Sequence, residues 1–298
     1  MHAEGKLALS ASKLLHLDRP LIIGHRGYCQ FAPENTLPSF RLAVLAGVDM
    51  VEMDCRMSCD GQWVVIHDGE LDRTTDARQR WKRRHNRVGT KTAAEIQSLD
   101  AGSWFDEQFS DTKVPLLGEA MDSLQHGAVA LIERKDGSAT ACAEFLRARG
   151  HHDDLIIQSF DWHFLRQLHE LMPHQILGAL GPPSLLANGR RPAALVRQLT
   201  DSWIAQAQKT GAKVIVWSRW LTRRSIRHAH KCGLGVWVYT INRPDLANRL
   251  LKRGVKGLIT DNPSLLWRAI ALKKKRRPSP LAKLKGLRHR LVRRKNPG

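Results

Sequence analysis

Short apolar runs alternate with stretches of helical spacing along most of this chain. Residues 21–24 are apolar without a break, residues 38–46 place Phe40, Ala43 and Val44 at helical spacing before Gly47, and residues 48–54 form a second apolar run. Asp60 and Gly61 separate that run from residues 63–66, which predicts a hairpin. From there to Pro115 the pattern is polar and irregular, with one helical piece at 92–99. Beyond Pro115 the rhythm resumes. Helices are predicted at 117–126, 140–149, 164–171, 203–209, 223–230 and 245–251, and strands at 128–133, 155–158, 175–180, 213–217, 236–240 and 256–260. Glycine repeatedly closes a helix, where a left-handed cap costs it least.

Strict alternation of strand and helix implies a parallel sheet, and eight such units match an α/β protein of the (β/α)8 TIM barrel class. The hairpin strand at 63–66 falls outside that count, so the polar stretch after it reads as a small insertion following the second strand. An open doubly wound sheet is the alternative. It would usually carry a glycine-rich phosphate loop after its first strand, and the chain has no G-x-G-x-x-G and no Walker pattern.

The barrel reading gives meaning to the charged residues that end the apolar runs, because chemistry in such barrels sits at the carboxyl ends of the strands. His25-Arg26 ends the first run, Glu52 and Asp54 end the second, and Glu133 ends the third barrel strand, with Lys135 two residues on. Side chains alternate across a strand, so Glu52 and Asp54 share one face and Val51 and Met53 the other. The same parity puts Glu133 and Lys135 together, with Ile132 and Arg134 outward. Glu52, Asp54 and Glu133 are hard oxygen donors, suited to one divalent cation, Mg2+ or Ca2+, and poor for zinc. His25 and His67, each beside a charged residue at a strand end, form a titratable pair for proton transfer.

Composition sharpens this in places. Of a net charge of +20, twelve charges sit in residues 273–298, which hold no acid, leaving +8 for the rest. Arg78, Arg80, Lys82, Arg83, Arg84 and Arg87 crowd a second basic stretch that follows a catalytic strand end. Both point to an anionic partner, here a membrane surface contacted through residues 78–87 and 273–295; nucleic acid is not the expected partner. Five scattered cysteines fit reduced thiols, and the lone Cys55-x3-Cys59 pair lacks a second pair with which to bind a metal. Lys13 and His16 interrupt the only apolar stretch near the N-terminus, so neither a signal peptide nor a membrane span is expected there. A cytoplasmic protein is expected, peripheral to the inner face of the membrane if the basic segments hold it there. The chain divides into a leader at 1–19, a barrel domain at 20–272 and a basic tail at 273–298. That tail is read as disordered or as an amphipathic helix carrying Leu281, Leu284, Leu287 and Leu291.

The motifs HRG (25–27), APENT (32–36), VEMDCRMSCDG (51–61), VVIHD (64–68), DRTT (72–75), LIERK (131–135), QSFD (158–161), VYTIN (238–242) and LITDNP (258–263) resemble the glycerophosphodiester phosphodiesterase family. The resemblance spans about residues 20–272. It implies a metal-dependent phosphodiesterase barrel in which Glu52, Asp54 and Glu133 bind the cation and His25 and His67 act as general acid and base. Arg26 and Lys135 would hold the phosphoryl oxygens, Tyr239 would line the glycerol pocket, and Glu34 and Asn35 would support the site. The implied reaction is hydrolysis of glycerophosphodiesters to glycerol 3-phosphate and an alcohol. The alternatives are a lysophospholipase D-like or cyclising phosphodiesterase acting on lysophospholipids, and, in another class, a non-catalytic protein binding anionic lipid or nucleic acid. The resemblance is weakest in the basic stretch at 78–87, where the family's loop is commonly short and glycine-rich.

Overall fold

The computed structural model describes residues 10–124, 127–150, 155–194 and 196–275. Nine strands form one sheet: β1 (Leu21–Gly24), β2 (Met50–Met57), β3 (Trp63–Val65), β4 (Val129–Arg134), β5 (Leu155–Ser159), β6 (Leu177–Gly181), β7 (Val214–Trp217), β8 (Gly235–Val238) and β9 (Gly257–Thr260). The eight other than β3 run parallel and close on themselves, because β1 pairs with both β9 and β2. β3 pairs antiparallel with the outer half of β2, Cys55 opposite Val65 and Met57 opposite Trp63. The (β/α)8 barrel and the extra hairpin strand are thus both present. β2 runs three residues beyond the sequence reading because its end is paired to β3 rather than released into a loop.

Period-two alternation divides the strands into two rows. Ile22, Val51, Met53, Ala130, Ile132 and Ile157 pack outward against the helices. Leu21, Ile23, Met50, Val129, Leu131, Ile156 and Trp237 fill the barrel interior. Continued toward the carboxyl ends, the inward row reads Glu52 and Asp54 on β2, Glu133 on β4 and Gln158 on β5. The barrel is therefore apolar at its base and polar at its top. The segment after β3 has a small core of its own, with Ile66, Leu71, Val88, Ile96, Leu99 and Val114 clustered around Val64. Thr92 starts its helix Ala93–Gln97 in a capping box with Glu95.

Part of the segment 1–19, read from the sequence as a leader, packs against the barrel. The helix Ala11–Leu15 buries Ala11 and Leu14 against the barrel interior cluster, and Arg19 donates to Asp49 Oδ2 at 2.8 Å. The polar residues that suggested a leader face away from that contact. At the other end, Pro263–Lys275 is helical. Most of the basic tail, with the apolar stripe from Leu281 to Leu291, lies outside the described residues. Among the described residues no helix is long and apolar enough to cross a membrane.

Candidate active site

The strand ends bring the predicted residues together. In register, Asp54 of β2 lies opposite Glu133 of β4. One carboxylate oxygen from each of Glu52, Asp54 and Glu133 lies within 4.8 Å of the others, and all three residues are buried. His25, Arg26, Glu52, His67, Glu133, Lys135, Gln158 and Tyr239 line a cavity of about 250 Å³ above them. A larger cavity, about 570 Å³, opens at the opposite face among strand beginnings such as Leu21 and Gly235, and holds none of these residues.

Burial and mutual repulsion govern the carboxylates. Glu52 is pushed up to about 8 by burial and then by the charge of Asp54. Glu133 is raised to about 7 for the same two reasons, with Lys135 pulling the other way. Asp54 is also buried, but the cations of Lys135 and Arg26 hold its carboxyl below the usual range. Lys135 Nζ sits 3.0 Å from Asp54 Oδ1 and also donates to Glu133. Three buried acids served by two cations are short of positive charge. All the donors are hard oxygens, so the set fits a divalent cation of the Mg2+ or Ca2+ kind.

The turn after β1 wraps Arg26 around this cluster. Its backbone N–H donates to Glu52 Oε2 at 2.8 Å and its Nη1 to Glu34 Oε1 at 2.7 Å. Its Nε lies 3.3 Å from Asp54 Oδ2 but has no hydrogen-bond partner among the described residues. Asn35 grips Asp54 twice: Nδ2 donates to Oδ2 at 2.8 Å, and Oδ1 accepts from the Asp54 N–H at 3.1 Å. Glu34 and Asn35, which the resemblance implies support the site, thus contact Arg26 and Asp54 respectively.

Each histidine is anchored through Nδ1, leaving Nε2 for chemistry. His67 Nδ1 donates to Asp68 Oδ1 at 2.6 Å, and Asp68 is held by Arg73, which also makes a two-pronged contact to Glu34. His25 Nδ1 donates to Asp261 Oδ1 at 2.6 Å. Their protonation is biased oppositely. Burial opposes a charge on His25, but the bond to Asp261 and the charge of Glu52 outweigh it and raise its pKa. Burial, helped by Lys135 and Arg26, lowers that of His67 despite Asp54 and Asp68.

Asp261 and Arg73, which help to orient the histidines, and Gln158 on the inward row lie outside the sequence-derived site, whereas Asp68, expected as the charged neighbour of His67, holds its Nδ1. Asp261 follows the last strand directly in the motif LITDNP, and that position was the available signal. Tyr239 lines the cavity and donates through its hydroxyl to Gly181 O at 2.8 Å, while Asn242 donates to Asp261. Arg78, Arg80, Lys82, Arg83, Arg84 and Arg87 are exposed, and none of them lines the catalytic cavity.

A closed barrel with buried carboxylates and two anchored histidines at its carboxyl end defines a hydrolase-type site for an anionic substrate. Residues 25–265 match the model of the glycerophosphoryl diester phosphodiesterase family, and the chain belongs to that family. It is 31% identical over 277 residues to a glycerophosphodiester phosphodiesterase of Bacillus subtilis, an alignment covering 87% of this chain and 89% of the relative. It superposes with a TM-score of 0.73 and 27% identity on an Oleispira antarctica phosphodiesterase in complex with the product sn-glycerol-3-phosphate, over 85% of this chain and 97% of that one. A glycerophosphodiester phosphodiesterase from Agrobacterium tumefaciens gives 0.68 and 28%, over 83% and 98%.

Proposed function

We propose that this chain hydrolyses glycerophosphodiesters to glycerol 3-phosphate and an alcohol, with one divalent cation, Mg2+ or Ca2+, held by Glu52, Asp54 and Glu133. The observation that carries this reading is the inward row of strand ends, which gathers three buried carboxylates beside two histidines and two cations in a cavity of about 250 Å³. The relatives named for this activity, and the neighbour solved with sn-glycerol-3-phosphate, support the same substrate class. When bound, the cation supplies Lewis acidity toward a phosphoryl oxygen and toward the attacking hydroxyl group.

The chain's own residues do the rest. Arg26 and Lys135, which line the cavity beside the carboxylates, present positive charge to oxygens whose own charge grows at the transition state. With Nδ1 of each ring committed to a carboxylate, Nε2 of one histidine accepts a proton from the nucleophile. Nε2 of the other delivers a proton to the leaving alcohol. Tyr239, Phe160 and Gln158 line the side of the cavity where the glycerol group would lie. A cavity of this size suits a small polar group better than an acyl chain, which favours a soluble diester over a lysophospholipid.

The test is an assay on glycerophosphocholine and glycerophosphoethanolamine with Mg2+ or Ca2+, with and without chelator. His25→Ala and Glu52→Ala should each lose about 10²-fold or more. Unchanged activity in both variants would sink the assignment. The exposed cations at 78–87, together with the tail, are proposed to hold the enzyme against anionic lipid. Sedimentation with anionic liposomes should be weaker for a chain ending at Leu272, and equal binding would remove the tail from that role.

A further inference from the structure

The motif that opens the site carries a cysteine, Cys29, four residues beyond His25. Its thiol donates to Asp261 Oδ1 at 3.1 Å, the same oxygen that accepts from His25 Nδ1 at 2.6 Å. The three ligand atoms lie within 4.8 Å of one another and are only partly buried, unlike the carboxylate cluster. Backbone bonds hold them in place. His25 N–H donates to Thr260 O at 2.9 Å and Gln30 N–H to Asp261 O at 3.2 Å, so the loop after β1 is fastened to the end of β9 on either side of the set. A nitrogen, a sulfur and a carboxylate oxygen form a softer donor set than the three carboxylates beneath.

We propose that His25, Cys29 and Asp261 form a second, inhibitory metal site selective for Zn2+ and similar thiophilic ions. Zinc bonds of roughly 2.0–2.3 Å in tetrahedral geometry place ligand atoms about 3.3–3.7 Å apart. Two of the present spacings, 2.6 Å from His25 Nδ1 and 3.1 Å from Cys29 Sγ to Asp261 Oδ1, lie within about an ångström of that, and all three atoms are within 4.8 Å of one another. Solvent fills the fourth position. Binding releases the Cys29 thiol proton to solvent and clears His25 Nδ1, whose proton leaves to solvent from the imidazolium or moves to Nε2 in the neutral ring, and no oxidant or reductant takes part. Burial and the charge of Asp261 raise the Cys29 pKa, so the thiol is protonated until an ion displaces its proton.

The effect on activity rests on the role proposed above for His25, whereas the site itself does not. With zinc on Nδ1, the ring's remaining proton sits on Nε2. The ring then can neither accept a proton nor, lacking the imidazolium form, donate one readily. Either role of His25 is blocked. Because the hard cation uses other ligands, saturating Mg2+ should not relieve the inhibition.

Two readouts test this on the full chain. Co2+ added to the Mg2+-saturated protein should give a thiolate-to-cobalt charge-transfer band in the near ultraviolet that is absent in Cys29→Ser and Cys29→Ala. Zn2+ should inhibit hydrolysis at a concentration that does not rise with Mg2+, and at least about tenfold more Zn2+ should be needed in the two variants. No band in the wild-type protein overturns the site. So does a band, or a Zn2+ sensitivity, that both variants retain. Inhibition that recedes in proportion to added Mg2+ assigns the zinc to the carboxylate cluster and also overturns it. The band does not depend on turnover, so a protein with the band but no activity on any glycerophosphodiester would refute the proposed function and leave the zinc site standing.

Discussion

Removing the divalent cation should destabilise the protein more as the pH rises, because three buried carboxylates then face one another without it. Glu52 and Glu133 are raised to about 8 and about 7 from an ordinary 4.5. A carboxyl raised on folding contributes stability that is fully present below its unfolded value and is lost as the pH climbs through its folded one. At about 1.4 kcal/mol per pKa unit, most of the Glu52 contribution and part of that of Glu133 disappear between pH 6 and pH 9, roughly 2–4 kcal/mol together. In a chain of this size that corresponds to about 3–6 °C in Tm. The assay is thermal unfolding with excess chelator and with saturating Mg2+ or Ca2+, in steps across that range. The difference between the two curves cancels titrations elsewhere in the chain. It should widen by about 3–6 °C from pH 6 to pH 9. Glu52→Gln sharpens the case: its neutral amide still accepts from the Arg26 N–H, yet it removes one of the repelling charges. Cation-free Glu52→Gln should therefore melt above cation-free wild type at pH 9 by about 2 kcal/mol equivalent, while losing most of the cation-induced shift. A cation-induced shift that stays flat with pH, or a Glu52→Gln protein less stable than wild type at pH 9 without cation, would show that repulsion among these carboxylates does not set the stability of the cation-free protein.

Three further outcomes follow from named contacts. Asn35→Ala removes both bonds to Asp54 and should weaken cation affinity about 10–100-fold by titration calorimetry, whereas an unchanged affinity would assign Asn35 to the turn alone. Asp261→Asn leaves a side chain of the same shape but can present its amide to His25 Nδ1, favouring the other tautomer; kcat should fall about 10²-fold or more with KM little changed, and a loss confined to KM would contradict an orienting role. Gly27→Ala puts a Cβ about 2.0 Å from Ser39 Oγ at a φ of +88°, and should cost about 2–4 kcal/mol in chemical denaturation; a loss under about 1 kcal/mol would show that the turn is adaptable.

Much of the fold and the inner site was legible because both follow a two-residue period. Once Met50 is known to face inward, Glu52 and Asp54 must as well, and on the neighbouring strand Val129 and Leu131 carry Glu133 with them. Beyond a strand's last residue that period gives no direction. Asp261 stands one residue past β9. The linkage from Asp54 through Arg26, Glu34, Arg73 and Asp68 to His67 joins side chains as far as 39 residues apart, and no local pattern announces it. The helix Ala11–Leu15 was hidden for a different reason. It is too short to show a period, and it owes its place to two small apolar contacts at the barrel base.

The turn after β1 that carries Arg26 also concentrates backbone strain. Arg26 and Asn35 adopt left-handed φ values of 51° and 57°. Asparagine tolerates that region, whereas arginine at such a φ is uncommon. The surroundings over-determine it: the Arg26 N–H is taken by Glu52, and its carbonyl accepts from both the Ser39 hydroxyl at 2.7 Å and the Asn35 N–H at 3.1 Å. Strain and buried charge therefore meet at one place, and the left-handed turn is what lets a single residue contribute its N–H to one carboxylate and its guanidinium to two others. An extended backbone at Arg26 would carry its side chain away from Asp54. The unfavourable conformation and the unfavourable burial of acids thus have a common origin in gathering Arg26 against Glu34, Glu52 and Asp54, and both are local to the barrel's carboxyl end, where the apolar base beneath can sustain them.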